Sequence, residues 1–135
     1  WRLGIANLFA LRSASAYIRK KIKVMSYEEK FIFEDRTRWQ DCGEGMRRQI
    51  MGYGKDLMLV KIEFNKGAVG AMHSHPHSQS SMVVSGSFEV TIGGETSTLH
   101  AGDGYFVAPG VEHGVLCTEQ GTLIDTFAPC REDFL

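Results

Sequence analysis

The amino-acid sequence predicts an all-β protein, a single domain folded as a small jelly-roll β-barrel. From residue 30 onward, apolar and polar residues alternate in short runs, which glycine, aspartate and proline residues separate. After the first 24 residues, neither an amphipathic helix nor a long internal repeat competes with this pattern. A jelly roll joins antiparallel strands without long exposed edges around a ligand pocket, and 135 residues are enough for its one core.

The charge distribution separates residues 1–24 from the rest of the chain. This segment has six basic residues and no acidic one, whereas the remainder has nine basic and sixteen acidic residues. We predict that residues 1–24 are an N-terminal extension outside the fold, and that residues 25–135 form the domain. The composition of the segment, with Ala14-Ser-Ala16 after an apolar stretch, leaves a signal peptide or a transit peptide open as alternatives.

The composition argues against two classes of partner. A formal net charge of -1 at pH 7 is not typical of a nucleic-acid-binding protein. The chain has no run of about twenty apolar residues, so it is not expected to enter a membrane. Its three cysteines lack the spacing of a zinc finger or a redox motif and favour a reducing compartment, so we predict a cytoplasmic location.

The first strands are predicted from the alternation of apolar residues. Residues 31–33 form a short candidate strand. In residues 56–65, Val60, Ile62 and Phe64 alternate with charged side chains. Successive residues of a strand point to opposite faces, so one face of this second strand is expected to contact water.

A β-hairpin follows these strands. Phe88, Val90 and Ile92 repeat the alternation, the dipeptide 93–94 is Gly-Gly, and residues 96–99 are expected to return antiparallel. Three further short strands complete the predicted barrel, at residues 105–107, 114–117 and 122–127.

Two histidines one residue apart belong to the most informative motif of the chain. From Gly67 the sequence follows the pattern G-x5-H-x-H-x3-[E/Q]-x6-G, which contains His73, His75 and Gln79 and ends at Gly86. Residues i and i+2 of a strand project from the same face, so His73 and His75 are predicted to chelate one metal ion. Imidazole nitrogens suit Zn, Ni, Fe or Mn, and Gln79 can add an amide oxygen.

A second motif supplies a further histidine. Residues 102–113 follow the pattern G-x5-P-x-G-x2-H, with Ala108 in place of the proline, and end at His113. This histidine can complete a set of three imidazoles and one amide that leaves coordination positions open for water or substrate. Together the two motifs resemble those of the cupin superfamily, which implies a small β-barrel around one divalent metal ion.

Gln79 occupies a position at which many cupins have glutamate. A neutral amide does not compensate the charge of a cation, so a divalent ion bound by three neutral imidazoles and Gln79 keeps its full positive charge. The site is therefore predicted to favour a small anionic substrate.

The remaining histidines and cysteines are less informative. His77 is interpreted as a residue of the pocket rim or surface, with a role as metal ligand as the alternative. His100 precedes a turn and is predicted to be solvated. Cys117 is interpreted as a thiol that fills the core, and Cys130 as an inert residue, with a reactive thiol as the alternative.

The last strand contains an acidic residue at a core position. Leu123, Asp125 and Phe127 share one face of this strand, so Asp125 points into the barrel if Leu123 does. A buried carboxylate needs a partner, which either a metal-bound water or Arg131 can provide. A purely structural ion pair between Asp125 and Arg131 is the alternative to a functional role.

The last hundred residues resemble a more specific family within the cupins. The segments HSHPHSQ, VEHGV and IDTFAPCREDFL are similar to those of the pectin-degradation protein family KdgF. The chain departs from the expected pattern at Met82, where an aromatic residue is expected, and at Ala108 and Cys130.

The resemblance to KdgF implies an enzyme that converts 4,5-unsaturated monouronates, released from pectin or alginate, to their linear keto form by ring opening and tautomerisation. It implies that Asp125, Phe127 and Arg131 line the substrate site beside the metal, and that the protein is a homodimer. We expect Asp125 to act as general base and then acid, Arg131 to bind the substrate carboxylate and Phe127 to form an apolar wall. An iron-dependent cupin dioxygenase and a non-catalytic sugar-sensing module are the alternatives.

Overall fold

Eight antiparallel strands form the structure, a computed structural model that describes residues 29–135. The predicted extension, residues 1–24, lies outside the described residues. The strands, in chain order, are β1 (Gln40–Gly43), β2 (Met46–Tyr53), β3 (Met58–Phe64), β4 (Val69–His73), β5 (Ser78–Ile92), β6 (Glu95–His100), β7 (Gly104–Val107) and β8 (His113–Ala128). Two short 3-10 turns, Glu34–Arg36 and Glu132–Phe134, lie near the ends of the described segment. The prediction of an all-β cupin fold is confirmed.

The two longest strands, β5 and β8, organise the sheet. Its main path runs β1-β2-β3-β8-β5-β6, while β4 pairs with β8 and β7 pairs with β5. The first half of β8 pairs with β4, where His113 lies opposite His73. Its second half pairs with β3, from Gly121 opposite Phe64 to Phe127 opposite Met58. Strand β8 therefore contains both His113, at its start, and Asp125, near its end.

Most of the predicted strands are confirmed, with one difference in β8. The hairpin of β5 and β6 turns at Gly93-Gly94, and both glycines have positive φ, which L side chains disfavour. The predicted strands at 114–117 and 122–127 belong to a single strand. Gly121 lies between the two predicted strands, where a turn was expected. It belongs to β8 instead, and its backbone packs closely on β5. A Cβ atom at this position would collide with the carbonyl of Ser85.

The prediction of a strand at residues 31–33 is wrong. This segment is irregular, and Phe31 and Phe33 are exposed. The chain that follows is held against the sheet by a side chain: the Nε2 of the buried Gln49 donates to the carbonyl oxygens of Glu34 and Thr37, each at 2.9 Å. The carbonyl of Phe33 itself accepts hydrogen bonds from the N–H of Arg36 and the Oγ1 of Thr37, within the following turn, and does not pair with a strand.

Two hydrophobic clusters fill the interior. The first is centred on Phe88, whose ring meets Phe64 edge to face with 5.2 Å between centroids. The second contains Ile50, Met58, Val60, Phe127 and Cys130. Asp125 lies on β8 between Leu123 of the first cluster and Phe127 of the second. The barrel therefore has a polar layer between two apolar ones. No helix of residues 29–135 is long and apolar enough to cross a membrane.

Candidate functional site

Three histidines converge where β4 ends and β8 begins. The ligand nitrogens of His73, His75 and His113 all lie within 4.8 Å of one another. The prediction that strand spacing brings His73 and His75 together is wrong in one respect. Strand β4 ends at His73, and His75 lies in the loop that follows. The loop turns the buried His75 ring towards the cluster, with 4.9 Å between its centroid and that of His113.

Backbone carbonyls orient all three imidazole rings in the same way. A carbonyl oxygen only accepts hydrogen bonds, so each Nδ1 that faces one is the protonated nitrogen of a neutral ring. Each Nε2 then keeps its lone pair, which is the form that binds a metal. The Nδ1 atoms of His73, His75 and His113 lie 2.8, 3.1 and 2.9 Å from the carbonyl oxygens of Ala71, His77 and Val111, respectively.

Gln79 adds an oxygen atom to this cluster. Its Oε1 lies 3.0 Å from the Nε2 of His75 and 3.1 Å from the Nε2 of His113. With the ring tautomers set by the carbonyls, these contacts bring atoms with lone pairs together. A divalent cation is the natural partner for such a group, so the three imidazoles and the amide oxygen fit a Zn, Ni, Fe or Mn ion.

Burial and nearby positive charge favour the neutral forms of His75 and His113. Burial lowers the pKa of both His75 and His113. Hydrogen bonds to Gln79 and to the Val111 carbonyl raise the pKa of His75 and of His113, respectively, while the positive charge of Arg131 and the neighbouring imidazoles lower both. Neutral imidazoles are available to a metal at neutral pH without first losing a proton.

Asp125 lies inside the barrel, on the face shared with Leu123 and Phe127, as the strand periodicity predicts. Its hydrogen-bond partner is Ser81, whose Oγ donates to Oδ1 at 2.6 Å. Burial raises the pKa of Asp125 to about 6, although the Ser81 hydrogen bond and the charge of Arg131 act in the opposite direction. The Asp125 carboxyl group can therefore exchange a proton near neutral pH.

Two residues that the sequence reasoning missed connect Asp125 to Gln79. Ser81 also accepts a hydrogen bond from the Nε2 of Gln79, at 3.0 Å. Tyr105 lies opposite Ser81 on β7, and its pKa is raised by burial and by the nearby Asp125, while hydrogen bonds with Ser81 and Gln79 lower it. Ser81 follows Gln79 by two residues, so strand periodicity places it on the same face, but serine alone signals no chemistry.

Arg131 forms an ion pair, though with a different partner from the one considered in the sequence. Its Nε and Nη2 donate to the two carboxylate oxygens of Asp133, at 2.9 and 2.7 Å. This pairing lowers the pKa of Asp133 to about 2. The Arg131 guanidinium stacks on the rings of Phe127 and Phe134, 5.2 and 4.2 Å from their centroids. The structural ion pair between Asp125 and Arg131 that the sequence left open does not form.

A set of contacts with β1 and β2 holds the C-terminal segment in place. The Nε2 of Gln40 donates to the carbonyl of Phe134 at 3.0 Å, and its Oε1 accepts from the Nε of Arg48 at 2.8 Å. Arg48 also lies over the Phe134 ring, 3.5 Å from the centroid. Phe134 packs edge to face on Phe127, which in turn contacts the His75 ring at 5.6 Å. These contacts position Arg131 beside the histidine cluster.

The remaining predicted residues lie outside this cluster. His77 is half-buried next to His75, 5.5 Å between ring centroids, and its buried Nδ1 has no hydrogen-bond partner within residues 29–135. His100 is exposed, as predicted. Cys117 is buried in the first hydrophobic cluster, as predicted. Burial raises the pKa of the Cys130 thiol, which argues against the alternative of a reactive thiolate.

A separate open cleft of about 790 Å³ lies against β1, β2 and the end of β3. Its wall includes Trp39, on which the Arg47 guanidinium stacks at 4.0 Å, and the Glu63 carboxylate that pairs with Arg47. Neither the histidines nor Asp125 line it. The cleft is therefore distinct from the candidate site.

Comparison with known proteins gives consistent results. Residues 60–126 match the Cupin domain family. The chain is 44% identical over 108 residues to the pectin degradation protein KdgF of Dickeya dadantii (strain 3937), covering 78% of this chain and 98% of that protein. Among solved structures, an RmlC-like cupin from Shewanella frigidimarina NCIMB 400 is 50% identical with a TM-score of 0.79, covering 82% of this chain and all of that one. The structure of KdgF from Halomonas sp. is 39% identical with a TM-score of 0.76, covering 78% of this chain and all of that one.

Proposed function

Because the chain belongs to the KdgF family of cupins, we propose that it is a pectin-degradation enzyme that opens the ring of 4,5-unsaturated monouronates to give the linear keto form. The observation that carries this proposal is the buried chain of hydrogen bonds from Gln79 through Ser81 to Asp125. It places a carboxyl group with a raised pKa next to a cluster of metal-type donors. Ring opening needs both a proton carrier and stabilisation of negative charge.

His73, His75, Gln79 and His113 would hold the metal ion. A divalent cation supplies stabilisation for negative charge that develops on the substrate oxygens. All four donors are neutral, so they leave the positive charge of the ion available to an anionic sugar acid. Because the Nδ1 protons are engaged by backbone carbonyls, the histidines offer only their Nε2 atoms to the ion.

Asp125 would carry the proton. The substrate is a cyclic hemiacetal, with a 4,5 double bond conjugated to its carboxylate. The Asp125 carboxylate takes the proton of the anomeric hydroxyl; the bond between C1 and the ring oxygen breaks, and its electrons move to that oxygen to give an enolate. Protonated Asp125 then delivers the proton to C4, which produces the keto group at C5. A pKa of about 6 suits a group that must both accept and return a proton.

Arg131 and Phe127 would position the substrate. The Nε and Nη2 atoms of Arg131 donate to Asp133, so the Nη1 atom of the guanidinium remains to bind the substrate carboxylate. Phe127 is buried between the Arg131 guanidinium and the His75 ring, and its edge offers an apolar wall to the sugar.

The activity is tested by incubating the metal-loaded protein with unsaturated galacturonate and following the loss of ultraviolet absorbance of the conjugated alkene. Absorbance that decays no faster than without protein would contradict the proposal. Oxygen uptake that depends on Fe(II) would instead support the dioxygenase alternative. Binding of the uronate without turnover would support the sensing module.

We also propose that the protein is a cytoplasmic homodimer that pairs through one face of the sheet. Met82 and Val84 on β5 and Phe106 on β7 are about half exposed, with relative accessibilities of 48%, 47% and 61%. They point away from the buried Gln79 and Ser81, and the β5-β7 register places Phe106 beside Ser80. Light scattering should give the mass of a dimer for the unsubstituted protein and of a monomer for Phe106→Glu. A monomeric unsubstituted protein would contradict this proposal.

A further inference from the structure

Ser81 lies at the centre of the hydrogen-bonded chain between the metal-type donors and the candidate base. The Nε2 of Gln79 donates to its Oγ at 3.0 Å, and Oγ donates to Oδ1 of Asp125 at 2.6 Å. Gln79, Ser81 and Asp125 are 4%, 5% and 5% exposed, so water does not compete for these bonds.

The direction of these bonds determines how the Gln79 amide is turned. A hydroxyl group has one proton, and Ser81 uses it for the Asp125 carboxylate, which can only accept. Towards Gln79, Ser81 is therefore an acceptor and selects the NH2 end of the amide. The oxygen end then faces the Nε2 atoms of His75 and His113. The opposite orientation would place NH2 protons where the cation binds and would set Oε1 against the lone pairs of Ser81.

We propose that Ser81 is a positioning residue that turns the oxygen of Gln79 towards the metal, using the Asp125 carboxylate as its anchor. A glutamate ligand needs no such device, because both ends of a carboxylate are oxygen atoms. An amide ligand keeps the charge of the cation but can face it with the wrong end, and Ser81 removes that alternative. This inference rests on the metal site of the proposed function.

The primary variant is Ser81→Ala, assayed by Zn²⁺ affinity in competition with a chromophoric chelator and without substrate. Removal of Oγ takes away the acceptor that the anchored Ser81 hydroxyl offers to the NH2 of Gln79; the Tyr105 hydroxyl, which can both donate and accept, does not select one end of the amide. Loss of a group that orients a metal ligand typically weakens binding by about 10- to 100-fold, which is the expected change. Ser87→Ala is the matched control, because Ser87 is also 5% exposed on β5 but lies outside the chain of hydrogen bonds. It should bind Zn²⁺ as the unsubstituted protein does.

The decisive comparison places Ser81→Ala in a Gln79→Glu background. With a carboxylate at position 79 there is no wrong end to exclude, so Ser81→Ala should now change the Zn²⁺ affinity by less than about 2-fold. The same loss in both backgrounds would overturn the proposal, as would an unchanged affinity of Ser81→Ala alone. If Ser81→Ala does not fold, Ser81→Thr and Ser81→Val form an isosteric pair that differs only in the hydroxyl. The threonine variant should bind Zn²⁺ at least about 10-fold more tightly, and equal affinities would overturn the proposal.

The outcomes distinguish this inference from the proposed function. If the unsubstituted protein binds Zn²⁺ with the expected dependence on Ser81 but leaves the uronate intact, the proposed activity fails and the positioning role stands. If it turns over the uronate while Ser81→Ala binds Zn²⁺ normally, only the positioning role fails. If it binds neither Zn²⁺ nor Ni²⁺, both are overturned.

Discussion

Replacement of Asp125 by asparagine separates the charge of this side chain from its shape. Asparagine is nearly isosteric, and its amide oxygen can still accept the proton of Ser81, so the fold and the metal site should persist. Asparagine cannot take a proton from the anomeric hydroxyl, and loss of a general base typically reduces turnover by about 10²- to 10⁴-fold.

The same substitution should stabilise the metal-free protein at high pH. Burial raises the pKa of Asp125 from 3.8 to about 6, so the folded state favours the protonated form. The stability that this group contributes is fully present below pH 3.8 and is lost as the pH rises through 6. The difference of about two pH units corresponds to a cost of about 3 kcal/mol for the ionised side chain at pH 8. Asparagine is neutral at every pH and avoids this cost.

Urea unfolding of chelator-treated proteins at pH 8 and pH 5 measures this effect. Asp125→Asn should exceed the unsubstituted protein in free energy of unfolding by up to about 3 kcal/mol at pH 8, and by less at pH 5. Asp35→Asn is the control, because Asp35 is 75% exposed in the first 3-10 turn. This substitution should leave the free energy of unfolding unchanged at both pH 8 and pH 5. A less stable Asp125→Asn at pH 8 would refute the reasoning on burial, and full turnover would remove the assignment of Asp125 as the base.

Three further predictions concern the metal, the substrate and the core. His113→Ala should lose bound metal on dialysis, measured by elemental analysis, whereas substitution of the exposed His100 should not; equal retention would contradict the metal assignment. Arg131→Ala should raise KM with a smaller effect on kcat, because the guanidinium binds a carboxylate remote from the transferred proton, and the exposed Arg36→Ala should leave both unchanged. A larger fall in kcat than rise in KM would argue against this role. Phe88→Ala should lower the free energy of unfolding by about 3–5 kcal/mol in urea, because Phe88 is fully buried in the first cluster; a loss below 1 kcal/mol would contradict the packing described.

Local patterns in the sequence predicted the parts of the fold that depend on neighbouring residues. The hairpin at Gly93-Gly94 and the face shared by Leu123 and Asp125 follow from turn chemistry and strand periodicity. Strand β2 was not predicted, because Arg47, Arg48 and Gln49 interrupt the alternation of apolar and polar residues. Arg47 and Gln49 hydrogen-bond to Glu63 and Glu34, which lie 16 and 15 residues away in the chain, and a local pattern does not contain such partners.

The candidate site was also predicted only in part. The spacing of His73, His75 and His113 predicted a cluster, although His75 reaches it from a loop rather than a strand. The pairing of Arg131 with Asp133 was not predicted, because only Asp125 was considered as the partner of Arg131. The 3-10 turn Glu132–Phe134 brings the Asp133 carboxylate to the guanidinium.

The position of Asp125 between two hydrophobic clusters makes stability and reactivity opposing properties of this site. Leu123 and Phe127 exclude water from both sides of the carboxyl group, and this desolvation raises its pKa to about 6. A surface carboxylate with an ordinary pKa would cost less to ionise but would be a weaker base towards the proton of a hydroxyl group. The Ser81 hydrogen bond limits the cost of ionisation and also orients the Gln79 amide. One hydroxyl group therefore serves both the base and the metal ligand, which is why we expect substitutions of Ser81 and Asp125 to be non-additive.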